Sequence, residues 1–135
     1  MKKGFTLIEL VLVITILGIL AISALPSFIN ISTQAEQASR DGVVGAVRAG
    51  IALQRANDLV TNGPPGSYPA ALDAVANATA CSATNPCFGT VLTQGVADGS
   101  WTKTNATTYT FNDGTATFTY TYTQANGTFT SPTAP

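Results

Sequence analysis

The chain has 135 residues with 6 basic and 7 acidic side chains, two cysteines and no histidine. This near-neutral balance, without clustered Lys and Arg, argues against a general nucleic-acid surface. With scattered acids and no histidine, the sequence offers no general-base pair, nucleophile elbow, phosphate loop or metal cluster, so we expect neither an enzyme nor a bound cofactor or metal.

Glu9 is the only charged residue between Lys3 and Glu36. The uncharged stretch from Leu10 to Ala35 forms roughly 39 Å of helix, enough to cross a bilayer core. The positive-inside rule places Lys3 and its neighbour Lys2 in the cytoplasm. A carboxylate next to hydrocarbon is costly, so Glu9 predicts a functional partner.

Three simpler interpretations of this segment compete with a functional one. A secretory signal peptide has a shorter apolar core and a small-x-small cleavage site beyond it, whereas here 21–23 and 23–25 lie inside the apolar run. A plain membrane anchor leaves Glu9 unexplained. A buried helix of a soluble protein is disfavoured, because the run exceeds the usual length of core helices.

The short basic leader followed by Gly4, Phe5, Thr6 and Glu9 resembles the class III signal of type IV prepilins and of type II secretion pseudopilins. The resemblance covers about the first 55 residues. It implies that a prepilin peptidase cuts between Gly4 and Phe5, that residues 1–4 are a cleaved leader, and that the new amino terminus of Phe5 is methylated.

In this family the incoming subunit's amine is thought to neutralise the glutamate of a subunit already in the filament, which would make Glu9 an assembly determinant. Pairing of Phe5 with Glu9 within one helix is the alternative, since the two are four residues apart. Cleavage removes Lys2 and Lys3 from the six basic side chains, leaving four against seven acidic ones, a side-chain net charge of −3.

The resemblance also implies partners and a location. The chain is expected to form a helical homo-oligomeric filament, after residing in the bacterial inner membrane and meeting the peptidase and the pilus assembly machinery. The filament itself would lie outside the cell or span the periplasm.

One long helix is predicted, with a hydrophobic part at 5–28 and an amphipathic continuation at 29–61. Its second half carries apolar residues at helical spacing, and Gly42, Gly45 and Gly50 permit close packing against a sheet or another helix. The residues at helical spacing are Val43, Val47, Ile51, Ala52 and Leu59. The run 62–66, Asn-Gly-Pro-Pro-Gly, is a strong stop.

Gly18 and Pro26 are the predicted weak points of the helix. Pro26 lacks a backbone donor, so a kink or break is expected there, and glycine costs about 1 kcal/mol relative to alanine inside a helix. In type IV pilins the segment between the matching residues can unwind within the filament. A simple membrane-helix kink is the alternative.

Residues 62–135 form the predicted globular head. A short helix is predicted over 68–75, and Cys81 and Cys87 are predicted to form a disulfide, because no histidine or further cysteine completes a zinc set. This placement differs from the more C-terminal disulfide common in pilins. Trp101 is expected near the start of a sheet.

The C-terminal third alternates threonine with aromatic residues, with Asp113-Gly114 and Asn126-Gly127 at the bends, which predicts antiparallel hairpins. Asp98 and Asp113 are interpreted as turn residues. One face directs aromatic rings toward the helix: Tyr109, Phe111, Phe118, Tyr120 and Tyr122. The predicted fold class is α+β, with the second half of a long N-terminal helix packed against a C-terminal antiparallel sheet.

The function predicted from the sequence is a structural pilus subunit. A type II secretion pseudopilin, or a minor pilin or membrane-anchored binding module, stays as the alternative. Calcium-binding acids of the kind found in some major pseudopilins are not visible in the C-terminal loop. The sequons at Asn30, Asn77, Asn105 and Asn126 are interpreted as accidents of a threonine-rich composition.

Overall fold

The computed structural model describes residues 3–131, apart from the side chain of residue 29. Helix α1 runs over Leu7–Asn62, and five strands follow it. The strands are β1 (Thr79–Ala80), β2 (Trp101–Lys103), β3 (Thr108–Asn112), β4 (Thr117–Thr123) and β5 (Thr128–Thr130). The chain divides into two compact units, one ending at Ala35 and the other beginning at Glu36. The predicted α+β class is confirmed.

Helix α1 ends where the sequence predicts. Gly63 has a φ of 85°, in the left-handed region, and its amide donates to the carbonyl of Leu59 at 3.1 Å. Glycine adopts this conformation without a Cβ penalty, so it satisfies an orphan carbonyl and turns the chain out of the helix.

The five strands form one antiparallel sheet in the order β1-β2-β3-β4-β5. In β3, β4 and β5, threonine alternates with aromatic residues, which gives each of these strands an inner and an outer face. In the turn after β3, the Asp113 carboxylate accepts from the amides of Thr115 and Ala116 at 2.9 and 2.7 Å. The predicted hairpins and the turn role of Asp113 are therefore confirmed.

The core of the second unit lies between the sheet and the second half of α1. The helix contributes Val44, Val47 and Ile51, while β2 contributes Trp101, its first residue. Trp101 lies 5.2 Å from the Phe111 ring, centroid to centroid. Four of the five aromatic residues predicted on the inner face are buried and Phe118 is partly buried. The buried four are Tyr109, Phe111, Tyr120 and Tyr122. This face packs on the helix as expected.

Gly50 has a specific role in that packing. A Cβ at this position would collide with the backbone of Val91, so the helix approaches the 88–92 loop at a distance only glycine permits. By contrast, Gly42 and Gly45 face open space, and Ala52 and Leu59, which share the helical spacing of the core residues, lie exposed.

One local prediction is wrong, and one short strand was missed. Residues 68–75 are not helical; the main-chain carbonyl of Leu72 instead accepts from the amide of Thr90 at 3.0 Å, and Asp73 is buried in the core. Tertiary contacts here outweigh local helix propensity. Strand β1 was not predicted, because a two-residue strand carries almost no sequence pattern.

Candidate functional site

The peptide bond between Gly4 and Phe5 lies in an irregular, exposed segment before α1. Phe5 is 93% exposed, and nothing lies within 4 Å of the place where a Gly4 side chain would begin. A backbone outside regular structure is accessible to an enzyme that must bind it in its own active site. Met1 and Lys2 of the predicted leader lie outside the described residues.

Thr6 and Glu9 hydrogen-bond to each other at the start of α1. The Glu9 carboxylate accepts from the Thr6 amide at 2.8 Å and from the Thr6 hydroxyl at 3.0 Å. The Glu9 amide in turn donates to the Thr6 hydroxyl at 3.3 Å. This is a capping box, and it also places a negative charge at the positive end of the helix dipole.

The capping role of Glu9 was missed in the sequence, although the Thr-x-x-Glu spacing from Thr6 to Glu9 before an apolar run is its recognised signal. In the uncleaved chain Phe5 has an amide and no amine, so the predicted pairing of Phe5 with Glu9 stays a prediction. Glu9 therefore already has a hydrogen-bonding partner, Thr6, within its own chain.

The segment after Glu9 is long and apolar enough to cross a membrane, and its side chains are exposed. Two of its hydroxyls are satisfied by the helix itself: Thr15 donates to the carbonyl of Val11 at 2.6 Å, and Ser23 to that of Ile19 at 3.2 Å. Hydrocarbon contains no hydrogen-bonding solvent, so internal satisfaction of polar groups is what a lipid-facing helix requires.

Helix α1 continues through Gly18 and Pro26 in the single chain. Pro26 has no amide to donate to the carbonyl of Ile22, so one hydrogen bond of the ladder is missing there. No side chain packs over Gly18. Unwinding of this segment during assembly stays a prediction.

A second polar cluster lies buried in the head, around the carboxylate of Asp73. It accepts from Lys103 Nζ at 2.6 Å, from the Tyr109 hydroxyl at 2.9 Å and from the Phe88 amide at 2.9 Å. Burial, and then the charge of Asp73, raise the pKa of Tyr109 far above its usual value. The sequence pattern does not reveal this cluster, because its members are widely separated along the chain.

The predicted disulfide joins Cys81 to Cys87. Phe88 follows directly, with a φ of 61°, and its buried ring contacts Trp101 and Tyr109 at centroid distances of 5.4 and 4.4 Å. A bulky residue in the left-handed region is an outlier that surrounding structure must hold in place. Here the disulfide at the preceding residue, Cys87, and the hydrogen bond from the Phe88 amide to Asp73 hold it.

Taken together, Asp73, Lys103 and Tyr109 are a structural cluster. Their hydrogen-bonding groups are used within the core, and Asp73 and Lys103 have 1% and 6% of their side chains exposed. Within residues 3–131, no group of three or more His, Cys, Asp or Glu is placed to hold a metal ion. The exposed N-terminal segment is therefore the candidate functional site.

Comparison with known proteins points to the same segment. Residues 1–25 match the family described as the prokaryotic N-terminal methylation motif. Over 51 residues the chain is 51% identical to the type IV narrow pilus major component PilA5 of Thermus thermophilus, a match that covers 38% of this chain and 44% of the relative. No solved structure matches the chain significantly. The predicted resemblance to the type IV pilin family is thus confirmed through its N-terminal segment.

Proposed function

We propose that the chain is a structural subunit of a type IV pilus-like filament, made as a precursor that is cut between Gly4 and Phe5. The single observation that carries the proposal is the arrangement of the N-terminus. An exposed, irregular Gly4–Phe5 bond directly precedes a capped helix whose apolar side chains are exposed along its first half.

In this proposal the precursor is held in the inner membrane by the segment 5–28, with residues 1–4 as the leader. Cleavage leaves a new amine on Phe5, whose nitrogen is then methylated. Because Glu9 lies one helical turn away, it is the nearest carboxylate to that amine, and a buried carboxylate is tolerated when a cation compensates it.

Assembly then buries the exposed apolar half of α1 against other copies, while the head stays outside this bundle. Contacts that repeat between identical copies without closing generate a helical filament. The role of PilA5 as a major pilus component favours this function over a secretion pseudopilus or a tip-bound minor subunit. A structural role of this kind includes no catalytic activity.

Sheared surface filaments test the proposal. Mass spectrometry of their first peptide should show Phe5 at the amino terminus with one added methyl group, and the chain should be the main component of the filament. Filaments that contain intact Met1, or that lack this chain, would contradict the proposal. Gly4→Arg should block cleavage, with Lys3→Arg as the matched control that keeps the leader charge.

The roles of Glu9 in charge pairing and in capping can be separated. Glu9→Gln keeps a side chain that caps a helix from this position, because glutamine serves in a capping box as glutamate does. The variant removes only the charge, whereas Glu9→Ala removes both. If pairing with the Phe5 amine drives assembly, both variants should insert in the membrane and lose filaments; normal filaments from Glu9→Gln would leave only the capping role.

A further inference from the structure

Asp73 and Lys103 hold an amine and a carboxyl group in contact inside the head. Lys103 Nζ lies 2.6 Å from Asp73 Oδ1, with 6% of the lysine side chain and 1% of the aspartate side chain exposed. Phe88 and Tyr109, which both donate to this carboxylate, are fully buried. Two ions so placed carry a large desolvation cost, because neither keeps its shell of water.

The two oxygens of the Asp73 carboxylate have different partners. Oδ2 accepts from the Tyr109 hydroxyl and from the Phe88 amide, both at 2.9 Å. Oδ1 accepts from Lys103 and, at 3.1 Å, from the Val75 amide. Two fixed donors on one oxygen of a carboxyl group stabilise the negative charge that develops there when a nucleophile attacks its carbon.

The backbone fixes both ends of the pair. Lys103 is the last residue of β2, a strand that is paired on both sides. Asp73 follows Leu72, whose carbonyl accepts from the amide of Thr90 at 3.0 Å. An amine and a carboxyl group held in one geometry react without the entropy cost of a bimolecular encounter.

We propose that Lys103 and Asp73 condense to an amide bond between their side chains, formed by the folded chain itself. The bond is a covalent modification of the head, and it does not depend on the function proposed for the N-terminal segment. It closes a ring from residue 73 to residue 103 that contains the Cys81–Cys87 loop. Reduction of the disulfide would then leave the head crosslinked.

The step needs no oxidant, reductant or co-reactant. Lys103 first passes one proton to Oδ1 of Asp73 across their hydrogen bond, which leaves a neutral amine and a carboxylic acid. Nζ then attacks Cγ, and Oδ2 carries the negative charge between the Tyr109 hydroxyl and the Phe88 amide. A second proton moves from Nζ to Oδ1, the Cγ–Oδ1 bond breaks, and one water molecule leaves.

The product removes two charges from the core. Oδ2 becomes the oxygen of a neutral amide and keeps both of its donors, and a hydrogen-bonded neutral group costs less to bury than two ions. The raised pKa of Tyr109 keeps its hydroxyl protonated and able to donate. A surface pocket of about 390 Å³ borders Asp73 and gives the released water a short path to solvent.

Digestion with trypsin reports the bond directly. Trypsin does not cut after a lysine whose Nζ is acylated, and no Lys or Arg follows Lys103 in the sequence. The full-length chain is purified from membranes in detergent, reduced, denatured and digested. Unreacted protein yields peptides 56–103 and 104–135, whereas linked protein yields one peptide, 56–135, lighter than its sequence by one water molecule. Acetylation would also block the cut, but it adds mass.

Three variants assign the reacting groups. Lys103→Arg keeps the positive charge without the reactive amine, and trypsin cuts after arginine, so both peptides should appear. Asp73→Ala should restore the cut after Lys103. Tyr109→Phe keeps both reacting groups and removes one donor from Oδ2, so the linked peptide should accumulate about a hundredfold more slowly after synthesis. An intact Cys81–Cys87 disulfide reports that each variant has folded.

Complete cleavage after Lys103 in the wild-type chain, with peptide 56–103 at the mass of its sequence, would overturn the inference. A linked peptide that persists in Asp73→Ala would overturn it too, because the lysine would then be joined to another group. Linkage of Tyr109→Phe at the wild-type rate would overturn the mechanism.

Discussion

In the core of the second unit, Trp101, Phe111 and Ile51 are 0–1% exposed. In the first half of α1, side chains of equal hydrophobicity such as Leu12 and Leu20 are 60 and 59% exposed. The first group owes its burial to contacts within one chain, whereas the second has the same hydrophobic driving force but no partner among residues 3–131 of that chain. Stability of the second unit and the proposed assembly through the helix should therefore be separable, and the variants below should change the stability alone.

The largest expected effect is that of Asp73→Ala on the head. This change leaves Lys103 as a buried cation without its carboxylate, and breaking such a pair costs about 3–5 kcal/mol. Thermal unfolding of the detergent-solubilised chain should show the loss, while cleavage at Gly4 continues. Asp98→Ala removes only an exposed turn carboxylate and serves as the control. Equal stability of the two variants would contradict a structural role for the buried pair.

Loss of the disulfide should have a smaller effect. Cys81→Ser opens a loop with a sequence separation of 6, and closing so short a loop stabilises a fold by about 2 kcal/mol. The melting temperature under oxidising conditions should fall to that of the wild type in reductant. If reductant lowers the melting temperature of Cys81→Ser further, that decrease has a cause other than loss of this disulfide.

A third change isolates one close contact. Gly127 has a φ of 68°, and a Cβ there would meet the ring of Tyr68. Gly127→Ala should cost about 1–2 kcal/mol from backbone conformation alone, with the collision added. Gly114→Ala, in the preceding hairpin with a φ of 84° and nothing within 4 Å, should show only the conformational cost. Denaturant midpoints of the two variants measure the difference, and equal midpoints would mean that Tyr68 moves aside freely.

The smallest effects concern pH. Amide hydrogen bonds from Ser67 and then from Asn62 lower the pKa of Asp58, and those from Ala116 and Thr115 lower the pKa of Asp113. Their contribution is present above the carboxyl pKa of the unfolded chain and is lost as the pH falls through the folded value. The pKa of Tyr109 is raised in the folded chain, so the unfolded chain loses this proton first. Stability should therefore also decline as the pH rises above the ordinary tyrosine pKa. Chemical unfolding across pH measures the loss of stability at both acidic and alkaline pH. The double variant Asp58→Asn with Asp113→Asn should weaken only the loss at acidic pH.

The sequence predicted most of what depends on neighbours along the chain. The end of α1 at Gly63, the alternating strands and the short disulfide loop all follow from local pattern. The cluster of Asp73 with Lys103 and the left-handed Phe88 were not predictable, because each depends on residues brought together by the finished fold. In the candidate site the Gly4–Phe5 motif was recognised, whereas the hydrogen bonds between Thr6 and Glu9 were overlooked.

The guanidinium of Arg48 lies against the outer edge of the sheet, at strand β5. Strand β5 is the last of the sheet, and Tyr122 on its neighbour β4 uses its amide toward Thr107, so the carbonyl of Phe129 points to the open rim. Arg48 occupies that acceptor. Unprotected rims invite strand-to-strand aggregation between crowded molecules. By occupying a pairing position there, Arg48 disfavours strand pairing between the β5 edges of two molecules.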